Sequence, residues 1–199
     1  FGFELHPSAE EALDTAREAL TDAGYVVEES EPPLLEETAI AGARCMFGEA
    51  KVLMHPDVRE HGSDTINQIF NNYFDYFQPF EGDDLIRALA DRNRLSRAWS
   101  LFLQDYPLVL TPFLPQPIFA WDRDAQGMDG VKEVLGSALY SYSMNFLGLP
   151  AGNVPANYND GLPIGVQIIG RRFREDMILD AAEEVEKRVG IMTHHLWSA

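Results

Sequence analysis

The sequence predicts an α/β fold, and three local patterns carry that prediction. A helical run over 8–23 is halted by Gly24 and followed by Tyr25-Val26-Val27, a helix–glycine–strand succession with acidic residues behind it. Tyr106-Pro107-Leu108-Val109-Leu110 is continuously apolar and ends at Thr111-Pro112, the pattern of a short, doubly buried strand running into a loop. Two further strands, 151–155 and 164–169, flank Asn159-Asp160-Gly161, whose residues carry hairpin-turn chemistry.

Taken in order, the chain opens on Phe1 rather than Met, and Phe1-Gly2-Phe3-Glu4-Leu5 reads as the tail of a strand entering a turn at His6-Pro7. Residues are therefore expected upstream. Ser8 with Glu11 three positions on forms a capping box, and Ala9, Ala12, Leu13, Ala16, Ala19, Leu20 and Ala23 recur at helical spacing. Pro32-Pro33 ends the first α/β unit. Residues 34–54 read as a helix that stops before His55-Pro56. The aromatic stretch 63–80 fits either a helix or an irregular hydrophobic cap. Asp83 or Asp84 caps a long helix through about Leu103. Segment 113–130, marked by Pro115, Pro117, Gly127 and Gly130, is irregular and displays Phe113, Phe119 and Trp121. Loops of this kind, at the carboxyl end of a buried strand, are where α/β proteins place ligands. A helix over 131–145 precedes the hairpin, and a last helix opens at Glu175 before a frayed tail. The sequence contains no internal repeat and no convincing boundary, so residues 1–199 read as one domain or part of one.

A chain of 199 residues can bury about 70% of the surface it exposes when unfolded, and 46% hydrophobic with 24% charged residues is an ordinary globular composition. The charge is unusual. Fifteen basic residues stand against 32 acidic ones, for a net of −17. Residues 1–37 hold eleven of the acids and a single base, Arg17, a local net of −10. Such a field repels phosphate backbones, which argues against nucleic acid and anionic membrane as partners. It suits a solvated acidic surface, and leaves a specific cationic partner as the alternative. Cys45 stands alone, so no intrachain disulfide forms, and a reducing cytoplasm is the expected compartment. No run of about 18 apolar residues occurs, and no signal peptide is expected.

Most familiar motifs of reaction chemistry are absent from the sequence. There is no glycine-rich phosphate loop and no Gly-x-Ser-x-Gly elbow, so no nucleotide cofactor is expected. His55 and His61 flank Asp57 and Glu60, but Pro56 and Gly62 break the geometry, and no metal site is assigned. His194-His195 reads as a surface or interface pair, or as part of the tail. Lys51, Lys132 and Lys187 sit in charge-dotted helical contexts that would not lower an ammonium pKa. Glu183 and Glu184 reach Lys187 on a solvated face. Gln167 lies in an otherwise apolar strand, and a buried amide needs partners; it either pins a neighbouring loop or lines a site.

The pattern Asn145…Gly148-x-Pro150…Pro155, then Asp160-Gly161-Leu162-Pro163-x-Gly165-x-Gln167-x-x-Gly170, resembles the C-terminal part of the amidase signature family. That family includes bacterial amidases, fatty-acid amide hydrolases and the amidase subunit of tRNA-dependent amidotransferases. The resemblance covers the whole chain and is strongest over 106–188. It implies α/β/α layers around a mixed central sheet, with this chain as the C-terminal portion. It implies hydrolysis of a carboxamide through an acyl-enzyme, using a Ser nucleophile, a second Ser held by a cis peptide, and a Lys. Those residues belong to a Gly/Ser-rich region upstream of the matched part. No Gly-Gly-Ser-Ser-Gly-like run occurs in these 199 residues, so none of them is assigned as catalytic and the chain alone is expected to be inactive.

By the same resemblance, Thr111, Phe113, Phe119, Trp121, Tyr142 and Asn145 are the candidate substrate-binding residues. The alternative for each aromatic is packing against the missing N-terminal half. Amidotransferase subunits resemble one another in an acidic residue, seven positions before the equivalent of Asn145, that holds the substrate's amino group. This chain has Ala138 there, which points to a hydrophobic or aryl amide. A homo-oligomer is compatible with this reading. The competing reading is a binding or scaffolding module that keeps the fold without the chemistry. A more distant one is another α/β enzyme using His55, His61 or His194.

Overall fold

The computed structural model describes residues 2–197, without the side chains of His195 and Leu196. In chain order the elements are α1 (Pro7–Asp22), α2 (Leu35–Leu53), α3 (His55–His61), α4 (Asp64–Phe77), α5 (Gly82–Asp105), β1 (Leu108–Pro112), a 3-10 turn (Arg123–Ala125), α6 (Gly127–Val134), α7 (Leu139–Leu147), β2 (Ala151–Asn159), β3 (Leu162–Gly170), α8 (Glu175–Val189) and α9 (Thr193–Trp197). They fall into two units. A sheet unit comprises 2–33, 99–118 and 148–197, and a helical unit comprises 34–98 and 119–147.

In the sheet unit the strand order is β1-β3-β2. β3 pairs antiparallel with β1, placing Thr111 opposite Gln167, and with β2, placing Val154 opposite Val166. The α/β character expected from the sequence is present, but the sheet of the described residues is wholly antiparallel rather than mixed. β2 and β3 form a hairpin, and β1, which precedes them in the chain and is separated from them by the 3-10 turn, α6 and α7, pairs on the other side of β3. β3 is buried on both faces from Val166 to Gly170. On one face Ile164, Val166 and Ile168 alternate toward α1 and α8, meeting the alanine stripe Ala9, Ala12, Ala16 and Ala19 and the side chains of Ile178, Ala181 and Val185. Small residues on α1 let that helix lie close to the sheet. Asn157 ties β2 to α1 by donating to the Ser8 carbonyl at 3.2 Å and to Glu11 Oε2 at 2.9 Å.

The hairpin forms about the expected turn, with strands that run further than the expected 151–155 and 164–169 and a register shift between Pro155 and Asn157. Asp160 (φ +50°) and Gly161 (φ +81°) form the two-residue connection with both residues left-handed, which fits strand twist and explains the Asp-Gly pair. Gly24 also stops α1 as expected: its N–H bonds the Thr21 carbonyl while that of Tyr25 bonds Leu20, a Schellman end with Gly24 at φ +96°.

Several boundaries differ from expectation. α1 begins at Pro7, whose fixed φ suits the first helical position, so His6 rather than Ser8 is the cap. Glu11 turns to Asn157 instead of closing a capping box. Tyr25-Val26-Val27 forms no strand, because strand propensity without a pairing partner builds nothing; Val26 is 88% exposed. Residues 2–6 likewise have no regular structure, and Phe1 lies outside the described residues. β1 is an edge strand of the described sheet with half-buried Leu108, Val109 and Leu110, so it is not doubly buried; Thr111 and Pro112 are. The single helix expected over 131–145 is two, α6 and α7, parted at Leu135–Ala138. The stretch expected to fray holds α9.

In the helical unit, α4 is capped by Ser63, which accepts from the Ile66 N–H at 3.3 Å. Its face Ile69, Tyr73 and Phe74 packs with Ala43 and Phe47 of α2, Val131 of α6 and Tyr142 of α7. No helix among the described residues is long and apolar enough to cross a membrane.

Candidate functional site

Hollows lined by described residues open in the helical unit, of which two stand out. The larger, about 580 Å³, is an open groove along α2 and α5 with Glu36, Glu37, Asp84 and Asp91 on its rim. Two of those acids are already engaged: Arg94 pairs with both Glu37 and Asp91. The smaller, about 260 Å³, is more enclosed and largely apolar. Its walls are Ala39, Ile40 and Ala43 of α2, Tyr76 and Phe77 of α4, and Leu139 and Tyr142 of α7, with Arg44 and Gly136 completing it.

The sequence makes this cavity by alternating small and aromatic residues. Gly42 lets α7 approach α2, since a Cβ there would lie 2.6 Å from the Tyr142 carbonyl oxygen. Gly136, in the break between α6 and α7, admits the Tyr76 hydroxyl, which would stand 2.6 Å from a Cβ at that position. Phe77 stacks on Phe47 with centroids 4.4 Å apart, meets Tyr76 edge-on at 4.8 Å and meets Tyr142 edge-on at 5.6 Å.

The polar inventory of this cavity is short. Tyr142 is 6% exposed, and its hydroxyl is buried without a hydrogen-bond partner. An orphaned buried hydroxyl costs about 1–3 kcal/mol and is uncommon in folded chains. Burial, with a smaller contribution from neighbouring Tyr76, pushes the Tyr142 phenol well above its ordinary pKa, and burial raises Tyr76 as well. Both stay protonated at neutral pH and are not available as bases. Arg44 is committed elsewhere: its Nε donates to the Gln78 carbonyl at 2.7 Å and its guanidinium lies 4.0 Å over the Phe80 ring. Among the described residues no carboxylate lines the cavity. Behind it, Tyr73 donates to Asp124 Oδ2 at 2.7 Å, holding the 3-10 turn to α4.

Of the six residues proposed from the sequence to bind substrate, Tyr142 alone lines this cavity. Asn145, three positions further along α7, is exposed. Phe119 is half-buried and Trp121 is 90% exposed, both in the helical unit. Thr111 and Phe113 belong to the sheet unit, where Thr111 is buried and accepts a long contact, 3.5 Å, from Gln167 Nε2. Gln167 thereby reaches across to the end of β1. Tyr76 and Phe77, not among those six, also line the cavity; their sequence signal is an aromatic helix carrying hydroxyl-bearing rings three positions apart.

Other reactive side chains are occupied. Cys45 is buried and its thiol is pushed up by that burial, which disfavours the thiolate. His55 packs its ring on Phe70 and Phe74, and burial lowers its pKa. Lys51 pairs with Glu81, and Lys187 with Glu184 at 2.7 Å and Glu183 at 3.4 Å. His194 lies exposed in α9, and the side chain of His195 is outside the described residues.

Comparison with known proteins gives these features a family. The indoleacetamide hydrolase of Bradyrhizobium japonicum is 33% identical over 195 residues, which is 98% of this chain and 42% of that protein. The A-type subunit of the glutamyl-tRNA(Gln) amidotransferase of Brucella anthropi is 36% identical over 114 residues, 56% of this chain and 23% of that protein. The chain thus spans about two fifths of the length of the indoleacetamide hydrolase it matches. Among solved structures, 6-aminohexanoate cyclic dimer hydrolase superposes with a TM-score of 0.71 at 17% identity, covering 95% of this chain and 43% of its own. A bacterial aryl acylamidase of the amidase signature family superposes with a TM-score of 0.68 at 21% identity, covering 94% and 41%. These likenesses concern the fold. The amidase family model matches residues 1–179, and the chain belongs to the amidase family.

Proposed function

We propose that this chain is the C-terminal portion of an amide hydrolase whose Ser, cis-held Ser and Lys are supplied by sequence outside residues 1–199. The observation that carries the reading is a family match over 1–179 in a sequence without any Gly-Gly-Ser-Ser-Gly-like run. In the reaction a Ser Oγ attacks the amide carbonyl, the amine or ammonia leaves with a proton, and water then releases the carboxylate from the acyl-enzyme. The chain's own contribution is one side of the substrate pocket, through Tyr142, with Thr111, Phe113, Phe119, Trp121 and Asn145 as further candidates.

The substrate proposed is a hydrophobic or aryl amide. Ala138 stands where an acid would hold a substrate ammonium, and the apolar cavity bearing Tyr142 has no carboxylate. The relative named for indoleacetamide fits that class. The test supplies an amidase N-terminal portion in trans or fused to Phe1 and assays an arylacetamide for ammonia release. The 199-residue chain alone is expected to be inactive and the completed protein active. A completed, folded protein that binds aromatic amides without hydrolysing any would favour the scaffolding alternative and overturn this reading.

A further inference from the structure

Within the helical unit, α5 carries two stripes on opposite sides. Leu85, Ala88, Arg92 and Leu95 recur at intervals of three and four residues and form the inward one. Leu95 is buried, a Cβ at Gly48 of α2 would stand 3.6 Å from Leu85 Cδ1, and the Arg92 guanidinium lies 5.8 Å over the Phe146 ring. Asp83, Ile86, Ala90, Asn93 and Arg97 recur at the same intervals on the other side, and all five are exposed. Leu89 adjoins Ile86 and Ala90 there, so the middle of this stripe is apolar; Ile86 is 67% exposed. Its ends carry opposite charge, Asp83 toward the start of the helix and Arg97 toward its end. Neither side chain has a partner among the described residues. Each lies seven residues from Ala90, so the stripe is complementary to itself when reversed.

We propose that α5 pairs antiparallel with the α5 of a second copy of this chain, about a twofold axis at Ala90, with Asp83 of each copy facing Arg97 of the other. In a twofold contact, if one residue meets a second, the second must meet the first across the axis. Equal spacing about Ala90 satisfies that condition. Alternating intervals of three and four residues are the seam of a two-helix coiled coil. Alanine at the crossing lets the helix axes approach to about 8 Å, which brings Ile86 and Leu89 of both copies together. Parallel pairing would set Asp83 against Asp83 and Arg97 against Arg97 and align the two helix dipoles; the antiparallel pair reverses both. The net charge of −17 on each copy opposes association, but at physiological salt charges more than about 8 Å from the seam are largely screened. The charges on the seam itself then decide. One helix pair is a small interface, so the dimer is weak and reversible. The pairing stands on α5 alone and is independent of the hydrolase reading.

The experiment uses the natural protein that carries this chain, at whatever length its gene encodes, in sedimentation equilibrium over about 1 to 200 µM, the range suited to a small interface. A monomer–dimer equilibrium is expected within that range. Arg97→Asp sets two carboxylates face to face at each end of the seam and should weaken dimerisation by about tenfold or more. Asp83→Arg sets two guanidiniums face to face and should act alike. The double variant Asp83→Arg/Arg97→Asp exchanges the two charges and should bring the affinity back to within about threefold of the parent. Arg97 is exposed in mid-helix, so Arg97→Asp reads the contact even where Asp83→Arg loosens the first turn. Ala90→Cys should give a disulfide between two copies when diamide oxidises the paired thiols, and adding Arg97→Asp should slow that cross-link. A protein that stays monomeric at the highest concentration overturns the proposal. So does a dimer whose affinity neither single reversal changes, or one that the charge exchange fails to rescue.

Discussion

Removing the Tyr73 hydroxyl probes how the helical unit is held together. Tyr73 is buried on α4 and donates at 2.7 Å to Asp124, in the 3-10 turn that closes the irregular segment after Phe119. Tyr73→Phe keeps the ring and deletes a hydrogen bond to a carboxylate, which is worth about 1.5–3 kcal/mol. For a chain of this size each kcal/mol shifts Tm by about 2–4 °C, so a fall of roughly 3–12 °C is expected. Asp124→Ala should cost a similar amount. The double variant should cost less than the two singles together, with a coupling of about 1–2 kcal/mol. The bond also sets an alkaline signature. Burial, and next the hydrogen bond to Asp124, raise the Tyr73 phenol above its ordinary value near 10. The folded state therefore holds that proton where the unfolded chain releases it. The stabilisation is complete below pH 10 and is lost progressively as pH rises above it. Urea unfolding of the four proteins at pH 8 and 10.5 measures both effects. Tyr73→Phe within about 0.5 kcal/mol of the parent at pH 8, or singles that add without coupling, would refute the assignment of this contact as a tie between α4 and the turn.

Other perturbations read other parts of the fold. Gly42→Leu places a branched side chain where even a Cβ meets the Tyr142 carbonyl at 2.6 Å and Phe146 Cβ at 2.9 Å, against an ordinary contact distance of at least 3.4 Å. Denaturant titration should show a loss of about 2 kcal/mol or more despite the gain in helix propensity. Gly161→Ala forces a side chain into φ +81° at the hairpin connection and should cost about 1–2 kcal/mol by thermal unfolding, with the near-ultraviolet spectrum unchanged. Cys45, buried and with its thiol raised, should react with an aromatic disulfide reagent only at the rate of local opening, whereas in urea it should react at once.

What the sequence disclosed follows from how local each signal is. The Asp160-Gly161 connection and the Gly24 stop were legible because left-handed backbone is written in the residues that adopt it. The alanine stripe of α1 was legible as a 3.6-residue period. The strand expected at Tyr25–Val27 was not there, because β-branched residues state a propensity while pairing depends on residues far along the chain. Nor was the break at Leu135–Ala138 legible: the apolar period runs on through it, and a Cβ at Gly136 would meet the Lys132 carbonyl oxygen at 2.3 Å and, sixty residues earlier in the chain, the Tyr76 hydroxyl at 2.6 Å. The same distance hid half of the cavity. Tyr142 came from family resemblance, but Tyr76 and Phe77 sit in an aromatic helix whose pattern reads equally well as plain core, and only the placement of α4 beside α7 distinguishes them.

The central claim concerns where the reacting serine lies, and covalent capture of it is the most direct measurement. The natural protein carrying this chain is treated with a fluorophosphonate, which traps an activated serine, then digested and mapped by mass spectrometry. One labelled serine is expected, in sequence preceding Phe1, with loss of arylacetamide hydrolysis in step with labelling. A label on a serine within residues 1–199, or hydrolysis that persists in a fully labelled protein, would contradict it.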